Sequence, residues 1–127
     1  MEKALMVGAG GFVGSVLRYW VSGYVQQWSK DFTFPLGTLT VNALGCLLIG
    51  FLSHLAETRG LFTAETRALV LIGFLGGFTT FSTFGNETLN LARAQQTWLA
   101  VVNVGASLLL GLGAVWLGRA LAYWIWR

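Results

Sequence analysis

The sequence predicts an all-α membrane protein of four transmembrane helices, the third broken at its centre. Three observations carry this. The 127-residue chain is 55% hydrophobic and only 10% charged, whereas soluble domains average about 25% charged residues. No charge lies between Asp31 and Glu57, between Arg67 and Glu87, or between Arg93 and Arg119. Each of these blocks supplies the roughly 20 apolar residues that cross a bilayer as a helix. Finally, the run Gly76-Gly77-Phe78-Thr79-Thr80-Phe81-Ser82-Thr83-Phe84 sits in the middle of one block. Glycines weaken a helix there, and hydroxyls re-satisfy backbone groups that a break frees. Irregular backbone at membrane depth is tolerated where it is buried in protein or lines a polar cavity. The run therefore reads as an ion or solute site.

The elements follow in order within one transmembrane domain, residues 1–127. Helix 1 is expected over about residues 4–25, apolar except for Arg18 and bordered by Trp20, Tyr24 and Trp28. Such rings suit the headgroup region, where one end of the side chain stays wet. A loop runs through Ser29-Lys30-Asp31 to Pro35, the only proline. Pro35 suits the start of helix 2, where its missing N–H is not needed. Helix 2 covers about residues 36–56, and Glu57-Thr58-Arg59-Gly60 makes a short turn. Thr63 can cap helix 3, with Glu65 in its first turn. Helix 3 covers about residues 65–92, interrupted near 76–81. After Arg93-Ala94-Gln95-Gln96, helix 4 covers about residues 97–125. Tyr123, Trp124 and Trp126 then close the chain at an interface.

Charge and composition exclude several classes. The stretch after Met-Glu-Lys is too long for a signal-peptide core and lacks a cleavage site, so no cleavable signal is expected. The single cysteine, Cys46, excludes an intrachain disulfide and reads as a small buried hydrophobe. The net charge of +3 comes from scattered residues, without the basic stripe that nucleic acid would require. His54 is the only histidine, and no nucleophile–base or carboxylate pair is apparent, so no enzyme is expected. The Gly8-to-Gly14 run fails the dinucleotide-loop spacing at Val13 and reads as helix packing. Four spans put both termini on one side. Lys3, Arg59, Arg67, Arg119 and Arg127 fall there, and Arg18, Lys30 and Arg93 fall on the other. Basic residues in short loops normally set orientation; this near-balance allows insertion either way.

Helical spacing gives each helix one slightly polar stripe. Gly11, Gly14, Ser15, Arg18 and Ser22 share a face of helix 1. Thr38, Asn42, Gly45 and Cys46 share one on helix 2, and Asn103, Ser107 and Gly111 on helix 4. These stripes either bond helix to helix or line a polar path. Small residues four apart, at Gly10/Gly14, Gly73/Gly77 and Ser107/Gly111, suggest close helix contacts. Arg18 lies roughly 21 Å down helix 1; it can snorkel to the surface or face a vestibule. Glu87 can pair, accept a hydrogen bond or relay protons. Phe81 and Phe84 are either core residues or anion contacts, because ring edges are positive and attract an anion without holding it fast. The hydroxyls of Thr79, Thr80, Ser82 and Thr83 can donate to an anion, while carbonyls freed by a break suit a hard cation.

Three segments resemble those of the Fluc-type (CrcB-like) fluoride channels. Gly37-Thr38-Leu39-Thr40-Val41-Asn42 is similar to the family's G-T-L-x-V-N motif. The run from Gly73 to Phe84 is similar to G-x-x-G-G-x-T-T-F-S-T-F, and Gly11, Gly14, Leu17 and Arg18 resemble its helix 1 signature. The resemblance covers the whole chain. It implies a passive, fluoride-selective channel that exports cytoplasmic fluoride across the inner (plasma) membrane. It further implies an antiparallel dual-topology homodimer with two pores and a central structural Na⁺, held by the backbone carbonyls of Gly76 and Thr79. Asn42, Phe81 and Phe84 would line the fluoride path, Ser82, Thr83 and Ser107 would supply hydroxyls, and Glu87 would lie beside them. Arg18 would face the vestibule or stabilise the fold. Helix 4 departs from the family: members often carry tyrosine or histidine where Asn103 stands, and serine where Gly111 stands. Two rival functions fit four small spans. One is a proton-coupled multidrug transporter using Glu87, and the other is a non-transporting scaffold.

Overall fold

The computed structural model describes residues 1–29 and 33–127; Lys30 and Asp31, placed by the sequence in the first loop, lie outside the described residues. All regular structure among the described residues is helical: α1 (Glu2–Trp28), α2 (Leu36–Arg59), α3 (Ala64–Arg67), a π-helical segment (Ala68–Phe74), α4 (Leu75–Phe78), α5 (Phe81–Arg93) and α6 (Thr97–Ile125). Among the described residues, four stretches are long and apolar enough to cross a membrane: Glu2–Trp28, Leu36–Arg59, Ala64–Arg93 and Thr97–Ile125.

Local chemistry explains the ends. Pro35 is the residue at the N-terminal cap of α2, where its locked φ and absent N–H cost nothing. Gly60 stops α2 in the left-handed region at φ 57°, which glycine adopts without a steric penalty. Thr63 caps α3 by accepting from the Thr66 N–H, with Glu65 in the first turn. Trp20, Tyr24 and Trp28 all lie within α1 and are exposed.

Two glycine seams hold the bundle together. Helix α1 packs on the π-helical segment and α4, and α2 packs on α6. A Cβ at Gly14 would lie 2.1 Å from the Phe74 carbonyl oxygen, and one at Gly77 would lie 2.6 Å from that of Gly11. On the other seam, a Cβ at Gly118 would lie 2.1 Å from the Leu47 carbonyl oxygen, and one at Gly50 would lie 2.2 Å from that of Val115. Lipid is as apolar as leucine, so helix association in a membrane depends on such close backbone approach. The pairs Gly10/Gly14 and Gly73/Gly77 thus both lie on the seam between α1 and the third span, each against the facing backbone. Ser107/Gly111 does not form a seam: a Cβ at Gly111 would make only ordinary contact, 3.6 Å from the Cys46 sulfur. The α2–α6 seam runs through Gly50 and Gly118 instead. At the end carrying both termini, Arg119 pairs with Glu57 at 2.7 Å. Both side chains are exposed, so the pair contributes little to stability.

The seams position the third span. Its first half, Ala64–Phe78, is clamped by α1, and α5 packs against α6. Between them Thr79 (φ −89°, ψ 158°) and Thr80 (φ −150°, ψ 121°) are extended. This two-residue segment leaves backbone groups that no helix satisfies, and α2 supplies what they need.

Candidate functional site

Asn42 on α2 reaches across to Thr80. Its Nδ2 donates to the Thr80 carbonyl at 3.0 Å, and its Oδ1 accepts from the Thr80 N–H at 2.8 Å. One side-chain amide thereby replaces a peptide neighbour for both polar groups of one extended residue, as an adjacent strand would. In a regular helix the Thr80 N–H would instead bond to the Gly76 carbonyl. The Thr79 carbonyl loses its helical partner likewise, because the Thr83 N–H bonds to the Thr80 hydroxyl at 3.3 Å. The same hydroxyl donates to Thr83 Oγ1 at 3.1 Å and lies 3.3 Å from Ser82 Oγ. Thr80 is therefore the N-cap of α5 and the hub of a small hydroxyl cluster. Thr79 closes the preceding helix, its N–H and hydroxyl both donating to the Leu75 carbonyl at 3.0 Å.

One cavity opens beside this segment, and a second lies farther along α5. The larger, about 400 Å³, is lined by Asn42, Cys46, Phe81, Phe84 and Ser107, with Gly76, Thr79 and Thr80 along one wall. The rings of Phe81 and Phe84 stand 5.6 Å apart, tilted by 46°. Phe81 is 83% exposed on the single chain, and Gly76 is exposed beside it. The smaller cavity, about 340 Å³, is lined by Ser22, Gln26, Thr38, Glu87 and Asn90, among others. Here the Thr38 hydroxyl donates to Glu87 Oε1 at 2.5 Å. This short bond ties α2 to α5 across 49 positions of sequence.

The residues singled out from the sequence therefore separate. Asn42, Phe81, Phe84, Ser107, Gly76 and Thr79 surround one cavity. Glu87 lines the other. Ser82 and Thr83 line neither cavity and are exposed near the Thr80 hydroxyl. Arg18 is half-buried, lines neither cavity, and forms no hydrogen bond or ion pair with the described residues.

The chain matches the family model described as CrcB-like protein, Camphor Resistance (CrcB), over residues 5–119. The chain belongs to the CrcB-like family. It is 44% identical over 118 residues to a protein of Methylobacillus flagellatus named fluoride-specific ion channel FluC, covering 93% of this chain and 92% of that one. It is likewise 44% identical over 119 residues to fluoride-specific ion channel FluC 1 of Methanosarcina acetivorans, covering 94% and 89%. A FluC of Nitratidesulfovibrio vulgaris is 45% identical over 119 residues, covering 93% and 94%.

Two residues of this CrcB-like chain, Gln26 and Thr88, matter although the sequence assigned them no role, and a third, Thr38, gains a partner the sequence did not indicate. Gln26 accepts from the Gly37 N–H at 3.0 Å and donates to the Phe34 carbonyl at 3.2 Å, tying the end of α1 to the start of α2. It continues the Arg18–Ser22 stripe by one further step of four, which was its available signal. Thr38 was placed on the polar face of helix 2, but its partner lies 49 positions away on another span. Thr88 accepts from Asn103 Nδ2 at 2.9 Å; nothing in the spacing of either residue indicates the other.

Proposed function

We propose that this chain is a passive fluoride channel that exports cytoplasmic fluoride. Fluoride entering as HF from an acidic exterior dissociates inside and accumulates, and a channel lets it leave down its gradient. One observation carries the reading: the paired rings of Phe81 and Phe84, the Asn42 amide and the Ser107 hydroxyl converge on one cavity beside the extended Thr79–Thr80 segment. Ring edges and neutral donors attract a small anion weakly enough to release it, which conduction requires. The FluC names of relatives at 44–45% identity point the same way.

The interruption at Thr79–Thr80 is read as the central break of the third span. Its freed carbonyls, Gly76 and Thr79, suit Na⁺, a hard cation that takes oxygen ligands. There it would supply fixed positive charge next to the anion path. Gly76 and Phe81 are exposed on one chain, as expected of groups completed by a second copy. An antiparallel homodimer in the inner membrane with two pores follows, and the five-to-three split of basic residues permits both orientations. Ser82 and Thr83 extend the hydroxyl path, Glu87 with Thr38 borders it at the second cavity, and Arg18 serves the vestibule or the fold.

The test is fluoride efflux from liposomes containing the purified protein, read with a fluoride electrode beside a chloride-loaded control. Rapid fluoride release without chloride release is expected. Phe81→Ala and Phe84→Ala should each slow it about tenfold or more, because each removes a ring edge from the path. Proton-coupled movement of aromatic cations, lost in Glu87→Gln and unaccompanied by fluoride release, would instead establish the drug-transporter reading. No release of any ion from folded protein would overturn both.

A further inference from the structure

Helix α5 carries Phe81 and Phe84 but has little packing of its own: among the described residues its only buried member is Leu91. Side-chain hydrogen bonds therefore add to its contact with α6 in holding its rotation. On one side Thr38 of α2 bonds to Glu87. On the other, Asn103 of α6 is buried, only 1% exposed, and lines neither cavity. Its Nδ2 donates to Thr88 Oγ1 at 2.9 Å, and that hydroxyl donates onward to the Phe84 carbonyl at 2.7 Å.

A threonine hydroxyl bonded to the carbonyl four residues back is ordinary in a helix. The Asn103 donation changes its meaning. Thr88 now both accepts and donates, so its rotamer is set from α6 and the bond ends on Phe84 itself. Because consecutive residues, Glu87 and Thr88, are held by α2 and α6, α5 is braced from both sides one turn beyond Phe84. A donor buried in the membrane costs more when unmet than it does in water, so the bond from Asn103 Nδ2 to Thr88 is strongly favoured.

We propose that Asn103 and Thr88 are positioning residues that set the orientation of the Phe84 ring from α6, rather than members of the ion path. The inference rests on the fluoride-path reading for its effect on flux, and on geometry alone for its effect on the ring.

The two are tested separately in the full-length protein. A ¹⁹F NMR spectrum of protein carrying 4-fluorophenylalanine at position 84 reports the ring; liposome efflux reports the channel. Thr88→Val, nearly isosteric and without the hydroxyl, and Asn103→Ala should shift, broaden or split the position-84 resonance. Both should slow fluoride efflux about tenfold, as loss of one buried hydrogen bond allows. Thr88→Ser restores the hydroxyl and should return both readouts to wild type, which a change in bulk stability alone would not do. If Asn103→Ala fails to fold, the Thr88→Val and Thr88→Ser pair still decides. An unchanged ring resonance in folded Thr88→Val overturns the proposal. A shifted resonance in protein whose wild-type form releases no fluoride upholds the positioning and overturns the channel reading.

Discussion

Asn42→Leu should lower fluoride efflux by roughly a hundredfold or more while the protein still assembles. The amide of Asn42 satisfies both the N–H and the carbonyl of Thr80, at 2.8 and 3.0 Å. Leucine preserves the volume and removes both bonds. Each backbone group left unmet costs about 1–3 kcal/mol, and 1.4 kcal/mol corresponds to a factor of ten. The segment must then find other partners. The simplest is the helical bond from Thr80 to Gly76, which would turn the Gly76 carbonyl back into the helix and move Phe81. Asn42→Asp separates the two contributions. It keeps an acceptor for the Thr80 N–H but sets an oxygen against the Thr80 carbonyl, so it should be impaired as severely as leucine if the carbonyl bond dominates. Initial efflux rates at matched protein density, with oligomeric state checked by size exclusion, provide the measurement. Wild-type efflux from Asn42→Leu would remove Asn42 from the site.

The second large effect is on assembly. Gly14→Val would put a Cβ where the Phe74 carbonyl oxygen is 2.1 Å away and the Phe78 N–H nitrogen 2.9 Å away. Both obstacles are backbone, so no rotamer change relieves the clash, and α1 must move away from the third span. Overpacking a fitted interior costs about 1–3 kcal/mol even where side chains can yield; this seam should cost more. Gly8→Val is the internal control, because a Cβ there meets nothing within 4 Å. Thermal melting in detergent and monodispersity on size exclusion should show Gly14→Val aggregated or strongly destabilised and Gly8→Val near wild type. Equal melting of the two variants would contradict the seam.

Much of this was legible in the residues. Charge-free blocks mark the spans because an unpaired charge in hydrocarbon is costly, and that rule acts on composition alone. The unusual run from Gly76 to Phe84 marks the irregular segment because glycine and threonine chemistry is local. The glycine pairs of α1 and the third span were visible as spacing. The α2–α6 seam was not, since neither Gly50 nor Gly118 has a glycine four residues away, and each becomes meaningful only against the backbone of the other helix.

The division has a physical basis. Helical periodicity determines which residues share a face, so the sequence by itself determined four apolar spans, their polar stripes and the family motifs within them. It does not determine how each helix is rotated against the next. Backbone contact along the Gly14 and Gly118 seams decides that rotation. Only the tertiary structure therefore decided that Asn42 meets Thr80 across 38 positions, that Thr38 meets Glu87 across 49 and that Asn103 meets Thr88 across 15. Those three contacts tie the span that carries Phe81 and Phe84 to α2 and α6.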